Sequence, residues 1–243
     1  KIKIFKLNSL TKSGLFIYIF IYLIFPSLAI SQNTKVVIRN NLEKSLNLGD
    51  LKSIQDIFKG NESLIIPRKF SKFIKEFPDS KWQIKILETN SDKNIFDIKV
   101  SGKKTLNGEI YVFESNFKYL FYIINGKISE GTIKDLLTTI RNDQNIIDII
   151  FRIPEKVLTG TKYDIDIILN EPLGEIIVAG GLKPHQDESY IQEEIIIEPL
   201  ASGGIFKMTR APSQVGTQIW SGIIIHPRGM VSFTKSVEIV EKI

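Results

Sequence analysis

The spacing of apolar residues changes several times along the chain, and each change marks a different kind of element. From Gly14 to Phe25 the residues are almost uniformly apolar until Pro26 interrupts them. In "NNLEKSLNLGD", Leu42, Ser45 and Leu46 fall on one helical face, and Gly49 stops the run. Asp50 is a natural N-cap for a second helix, "LKSIQDIFKG", with Leu51, Ile54, Ile57 and Phe58 as its stripe. A third helix is expected to open at Pro67, where the missing N–H costs nothing, and to end at Pro78. Its face is Phe70, Phe73, Ile74 and Phe77. After Asp79 the period becomes two: Trp82, Ile84 and Ile86 alternate with polar residues, then Phe96, Ile98 and Val100. Asn107-Gly108 and Asn125-Gly126 each separate strand-like runs and favour type I′ hairpin turns. In "TIKDLLTTIR" the spacing of Ile133, Leu136, Leu137 and Ile140 returns to that of a helix, which predicts one closing this part of the chain.

From Asp148 onward short strand-like runs are separated by turn residues: "DIIFRI", "KYDIDIIL", "EIIVAGGL", "EEIIIEPL", "GIFKMTR", "GTQIWSGIIIH" and "MVSFTKSVEIV". Short strands at this spacing, with Gly and Pro between them, argue for an antiparallel sandwich. The pattern divides the chain into a leader over residues 1–31, an α+β domain over 35–143 and an all-β sandwich over 146–243.

Helices followed by a curved meander resemble the nuclear-transport-factor-2-like (SnoaL-like) fold. The phrases that carry the resemblance are "LNLGDLKSIQDIF" and "FYIINGKISEGTI". It implies a cone-like α+β domain, helices packed on a curved antiparallel sheet, with a pocket at the mouth of the cone. "LTGTKYDIDIIL" and "HPRGMVSFTKSVEIV" resemble the early and final strands of an immunoglobulin-like β-sandwich.

Charge and composition narrow the function. Lys1, Lys3, Lys6 and Lys12 precede the apolar run with no acidic residue among them, and Ser27-Leu28-Ala29 and Ala29-Ile30-Ser31 follow it. A basic start, a short apolar stretch and small residues describe a secretory signal peptide, since a spanning helix wants about 20 apolar residues. The expected location is extracytoplasmic, periplasmic or secreted, with an uncleaved anchor in the inner membrane as the alternative. The leader to Thr34 carries +4, residues 35–143 carry +5 and residues 144–243 carry −4. The basic balance thus belongs mostly to the export signal, and nucleic acid is not an expected partner. No cysteine is present, which excludes disulfides and thiolate chemistry.

Candidate chemistry is thin. The first half has no histidine, and its possible pocket groups are Asp97, Glu109, Tyr111, Glu114, Tyr119 and Tyr122. Trp82, Tyr111, Tyr119 and Tyr122 are the residues expected to meet a ligand in the pocket that the first resemblance implies. His185 stands near Asp187 and Glu188, and His226 ends a strand before Pro227. Neither has the spacing of a zinc or calcium site. The glycine pairs in "VAGGL" and "ASGGIF" read as turns or bulges. Neither a catalytic set nor a metal or cofactor site is expected. The expectation is an exported, non-enzymatic binding protein whose partner is another protein or a small apolar ligand, with homo-oligomers a further possibility. The alternatives are a small-molecule isomerase or dehydratase using that pocket, and a membrane-tethered assembly factor in which the membrane is met only through the leader.

Overall fold

A computed structural model describes residues 34–87, 93–143, 147–170, 176–185, 194–200 and 203–241. The leader and the acidic pair Asp187 and Glu188 lie outside the described residues.

Three helices come first: α1 over 34–48, α2 (Leu51–Ile57) and α3 (Glu62–Glu76). Gly49 ends α1 with a positive φ of 69°. The Asp50 carboxylate then accepts the Ser53 N–H at 3.1 Å, satisfying a donor that the first turn of α2 leaves open. Helix α3 starts five residues earlier than its proline suggested. Pro67 sits inside it, and the first turn is closed by Leu64 and Ile65 N–H groups donating to the Asn61 carbonyl.

A meander follows: β1 (Lys81–Leu87), β2 (Asn94–Leu106), β3 (Glu109–Ile124) and β4 (Lys127–Asn142). Both Asn-Gly pairs make the tight turns between these strands, with positive φ at Asn107, Gly108, Asn125 and Gly126. Helix α1 covers the outer edge of β1 with side chains instead of a strand. The Asn47 amide bonds both the N–H and the carbonyl of Trp82, and Glu43 accepts the Ile84 N–H at 2.7 Å. These bonds occupy the outward backbone groups of Trp82 and the Ile84 N–H, which leaves less of this edge for another chain to pair with.

The remaining strands are β5 (Ile149–Arg152), β6 (Lys156–Leu158), β7 (Lys162–Leu169), β8 (Ala179–His185), β9 (Glu198–Pro199), β10 (Gly204–Arg210), β11 (Gly216–His226) and β12 (Gly229–Val240). They complete a nine-stranded sheet ordered β1-β2-β3-β4-β12-β11-β8-β9, with β6 parallel to β12, and a three-stranded sheet β10-β7-β5. The glycines of "VAGGL" are strand residues, not turns: Gly180 and Gly181 lie opposite Ile224 and Ile223. A Cβ on Gly181 would overlap the Ile196 carbonyl, so a backbone passes too close for any side chain.

The expected fold class is overturned at β4. Residues 132–140 are strand, not a closing helix, and strand residues far outnumber helical ones among the described residues. The meander is not a cone-like α+β domain standing apart from a sandwich. It shares one sheet with the second half, through Leu137–Arg141 of β4 paired with Val231–Lys235 of β12. Strand β4 carries two bulges, and the second of them falls inside the spacing that misled. Opposite Phe121, β4 carries both Glu130 and Gly131; opposite Phe117 it carries both Asp135 and Leu136. Each extra residue resets the two-residue alternation. Glu130 and Asp135 take up the positive φ values this requires, 53° and 50°. Thr132, Ile133, Thr138, Thr139 and Ile140 are β-branched and suit a strand with partners on both sides.

Two separate cores are buried. The first packs the helices on the meander through Leu42, Leu46, Ile54, Phe70, Phe96, Phe121 and Ile128. The second lies between the two sheets and centres on Trp220, Ile165, Ile167, Ile224 and Val237.

Candidate functional site

The four residues expected to meet a ligand are not brought into one pocket. Trp82 packs edge-on against Phe70 and Phe73, with ring centroids 5.8 and 5.6 Å away, inside the helix–sheet layer. Tyr119 is buried and stacks on Phe121 at 5.6 Å. Tyr122 is half-buried three residues further along β3, on the opposite face of the strand. Tyr111 stands at the other end of β3, beside the Asn107-Gly108 turn. Of the four, Tyr111 alone lines one of the described clefts.

That cleft, about 420 Å³, is lined by Glu109, Tyr111, Asn142, His226 and Arg228 among others. The groups are committed to one another. One Glu109 oxygen accepts from the Tyr111 hydroxyl at 2.9 Å and from the Asn142 amide at 2.8 Å. The Asn142 carbonyl oxygen accepts the Met230 N–H at 2.8 Å, tying β4 to the β11–β12 hairpin. His226 Nδ1 accepts the Arg228 N–H at 3.1 Å, which leaves any proton of the neutral ring on Nε2. The hydrogen bond to Glu109 holds the Tyr111 hydroxyl above its usual pKa, with a smaller push from burial, so it gives up its proton less readily than a free tyrosine. This arrangement staples two hairpins together. Asp97, another of the possible pocket groups, lies opposite Lys85 on one neighbouring strand and Lys118 on the other.

A second polar group is enclosed where α3 meets the first bulge of β4. Glu62, in the first turn of α3, accepts the Gly131 N–H with one carboxylate oxygen. Its other oxygen and the hydroxyl of Tyr119 are buried, each without a hydrogen-bond partner among the described residues. Burial, and then the nearby Glu62 charge, push the Tyr119 hydroxyl far above its usual pKa, so it stays protonated. A side chain at Gly131 would overlap the Tyr119 ring, so glycine at this bulge lets the tyrosine approach the carboxylate. None of the described clefts is lined by Glu62 or Tyr119, and the pair has no route to a substrate through them.

The larger open surfaces are at the helical end. A cleft of about 860 Å³ runs between α1, α2 and the β3–β4 turn, with Val37, Leu48 and Ile57 beside Lys44, Asp50, Asp56 and Lys127. A groove of about 620 Å³ lies between α2 and α3 and carries Lys52, Arg68, Lys72 and Lys75 with no acidic residue in its lining. Sequence reasoning missed this groove because it opened α3 at Pro67. Starting the helix at Asn61 would have placed Leu64, Arg68, Lys72 and Lys75 on one outer arc.

Residues 144–240 match a family model described as a domain of unknown function (DUF8623). The matched stretch is the second half, and its description assigns no activity. No curated protein matches the chain. No described helix is long and apolar enough to cross a membrane. No cluster of metal-ligating side chains occurs among the described residues.

Proposed function

We propose that the protein is an exported, non-catalytic interaction protein whose contact surface is the helical end of its first half. The observation that carries this reading is the division of labour between interior and surface. The space between helices and meander is filled by the chain's own side chains, with Ile54, Phe96, Phe121 and Ile128 almost wholly excluded from solvent. An isomerase or dehydratase of the kind considered from the sequence needs that space for its substrate. The two constellations with acid–base potential are spent on fixing elements to each other. The helices, by contrast, leave large apolar side chains in solvent at Val36, Val37, Leu48, Leu64 and Ile65. An apolar set rimmed by charge marks a surface that meets something else.

Hydrogen exchange tests this directly. The protein is incubated with the envelope fraction of its source cells, and amide protection is compared with that of the free chain. Added protection should fall on α1, α2 and α3 and leave β10 and β11 unchanged. Protection confined to the second half, or none anywhere, would rule the reading out.

A further inference from the structure

We infer that the outer arc of α3, with the adjoining side of α2, is a seat for an anionic phospholipid surface. The inference rests on the contact surface proposed above and names what that surface meets. Helix α3 divides into two faces. Ile66, Phe70, Phe73 and Ile74 pack into the first core. Leu64 and its neighbour Ile65 face outward, and Arg68, Lys72 and Lys75 follow at steps of three or four residues on the same arc. Leu64 and Ile65, adjacent on this face, are 61% and 48% exposed.

The acidic residues of α3 do not neutralise this arc. Glu62 is turned inward to the Gly131 N–H, and Glu76 is paired with Lys104 of β2. Lys52 of α2 adds a further cation to the same groove. The result is a short helix with one buried face and one face that is basic along most of its length and apolar at its first turns. Such a face suits the boundary between headgroups and acyl chains: cations meet lipid phosphates while Leu64 and Ile65 enter the apolar layer. An acidic protein would satisfy the cations equally well. The bilayer is favoured by the exposed leucine and isoleucine, and by the position of the helices in the chain. They are the first described elements after the apolar run that ends at Phe25. A leader held in the membrane, or just released from it, leaves this end of the protein nearest the lipid.

The test compares full-length chains on vesicles of phosphatidylcholine alone and of phosphatidylcholine with phosphatidylglycerol, by co-sedimentation at low and physiological salt. The leader is common to all chains, so differences between them report the folded part. The wild-type chain should bind the anionic vesicles at least about tenfold more tightly than the neutral ones, less so as salt rises. The triple variant R68E/K72E/K75E should lose most of that preference. The milder R68Q/K72Q/K75Q should lose part of it, and covers the case in which charge reversal disturbs folding. A charge-matched control on the meander, K81E/K85E/K99E, should change binding by less than about twofold. Equal binding of all four chains, or no preference for anionic vesicles, would overturn the inference. Protection of the helices by envelope fractions without any binding to vesicles would overturn the lipid assignment and leave the interaction reading standing.

Discussion

The two cores of this molecule treat their buried polar groups in opposite ways. Between the two sheets, the Trp220 indole N–H donates to the Tyr163 hydroxyl at 2.9 Å, and that hydroxyl donates to Gln218 at 2.6 Å. Every member of that chain has a partner, and the apolar residues around it are mostly Ile and Val. Between helices and meander, the packing is aromatic, and Tyr119 and Glu62 bury a hydroxyl and a carboxylate oxygen that nothing among the described residues satisfies. A satisfied network fixes one arrangement, whereas an unsatisfied one costs stability at the place where it sits. Mismatches occur in both halves: inside at Glu62 and Tyr119 and at His185 Nε2, outside at Leu64 and Ile65 and also at Ile177, Ile196 and Met208.

Between them runs a seam of strands and charges. Lys118 and Lys235 both reach Asp135, at 2.8 and 2.7 Å, so a bulge residue of the first half holds a buried lysine of the second. Lys134 and Lys156 share Glu238. The Leu136 N–H, released by the same bulge, donates to the Ser236 hydroxyl at 2.8 Å. The bulges that obscured β4 in the sequence are thus what attach it to its neighbours.

The comparison can be broken most strongly through the cores themselves. Trp220→Ala and Phe121→Ala should each lower unfolding stability by about 3–5 kcal/mol in denaturant titrations. Because both cores lie on one sheet, each should shift a single transition. Two separated transitions would show that the halves unfold independently.

A finer test makes the same substitution on both sides. Tyr163→Phe leaves the Trp220 N–H and Gln218 without their shared partner and should cost about 1–3 kcal/mol. Tyr119→Phe removes a hydroxyl that has no partner and should be neutral or stabilising by up to about 1 kcal/mol. Equal costs at the two positions would mean that Tyr119 is satisfied in solution.

The seam supplies a pH dependence. Burial alone would raise the Asp135 carboxyl, but hydrogen bonds from Lys118 and Lys235 outweigh it and hold the pKa below the usual carboxylate range. Burial likewise opposes, and the hydrogen bond from Lys134 reverses, the shift at Glu238. With folded values below the unfolded ones near 4, the contribution is fully present above about pH 4. It is lost as the pH falls through the folded values. Asp135→Asn should flatten that acid limb in thermal melts between about pH 5 and 2, and an unchanged limb would place the dependence elsewhere. The smallest effect is local: Asp50→Ala should cost about 1 kcal/mol by removing the cap of α2.

Local chemistry was legible in the sequence where a few adjacent residues decide the outcome. Gly49, Asp50, Asn107-Gly108 and Asn125-Gly126 announce their turns because positive φ and capping depend on those residues alone. Strands β7, β10, β11 and β12 were readable as strand-like runs bounded by turn residues. What was not legible depends on partners far away in the chain. Strand β4 carries a helix-like spacing that only its pairing with β3 and β12 resolves into a bulged strand. Strand β6 is three residues long and exists through its parallel pairing with β12. The tyrosines were grouped by residue type, whereas strand direction and parity send Tyr111, Tyr119 and Tyr122 to different places.

The central claim is that the meander and the second half share one sheet across β4 and β12, so that the helices are presented from a single fixed body. Native-state hydrogen exchange at Leu137–Arg141 tests it most directly, because those amides lie in a strand flanked on both sides. The account predicts that they exchange as slowly as the amides of β11, through global unfolding. Exchange as fast as that of frayed residues, with β11 still protected, would contradict it.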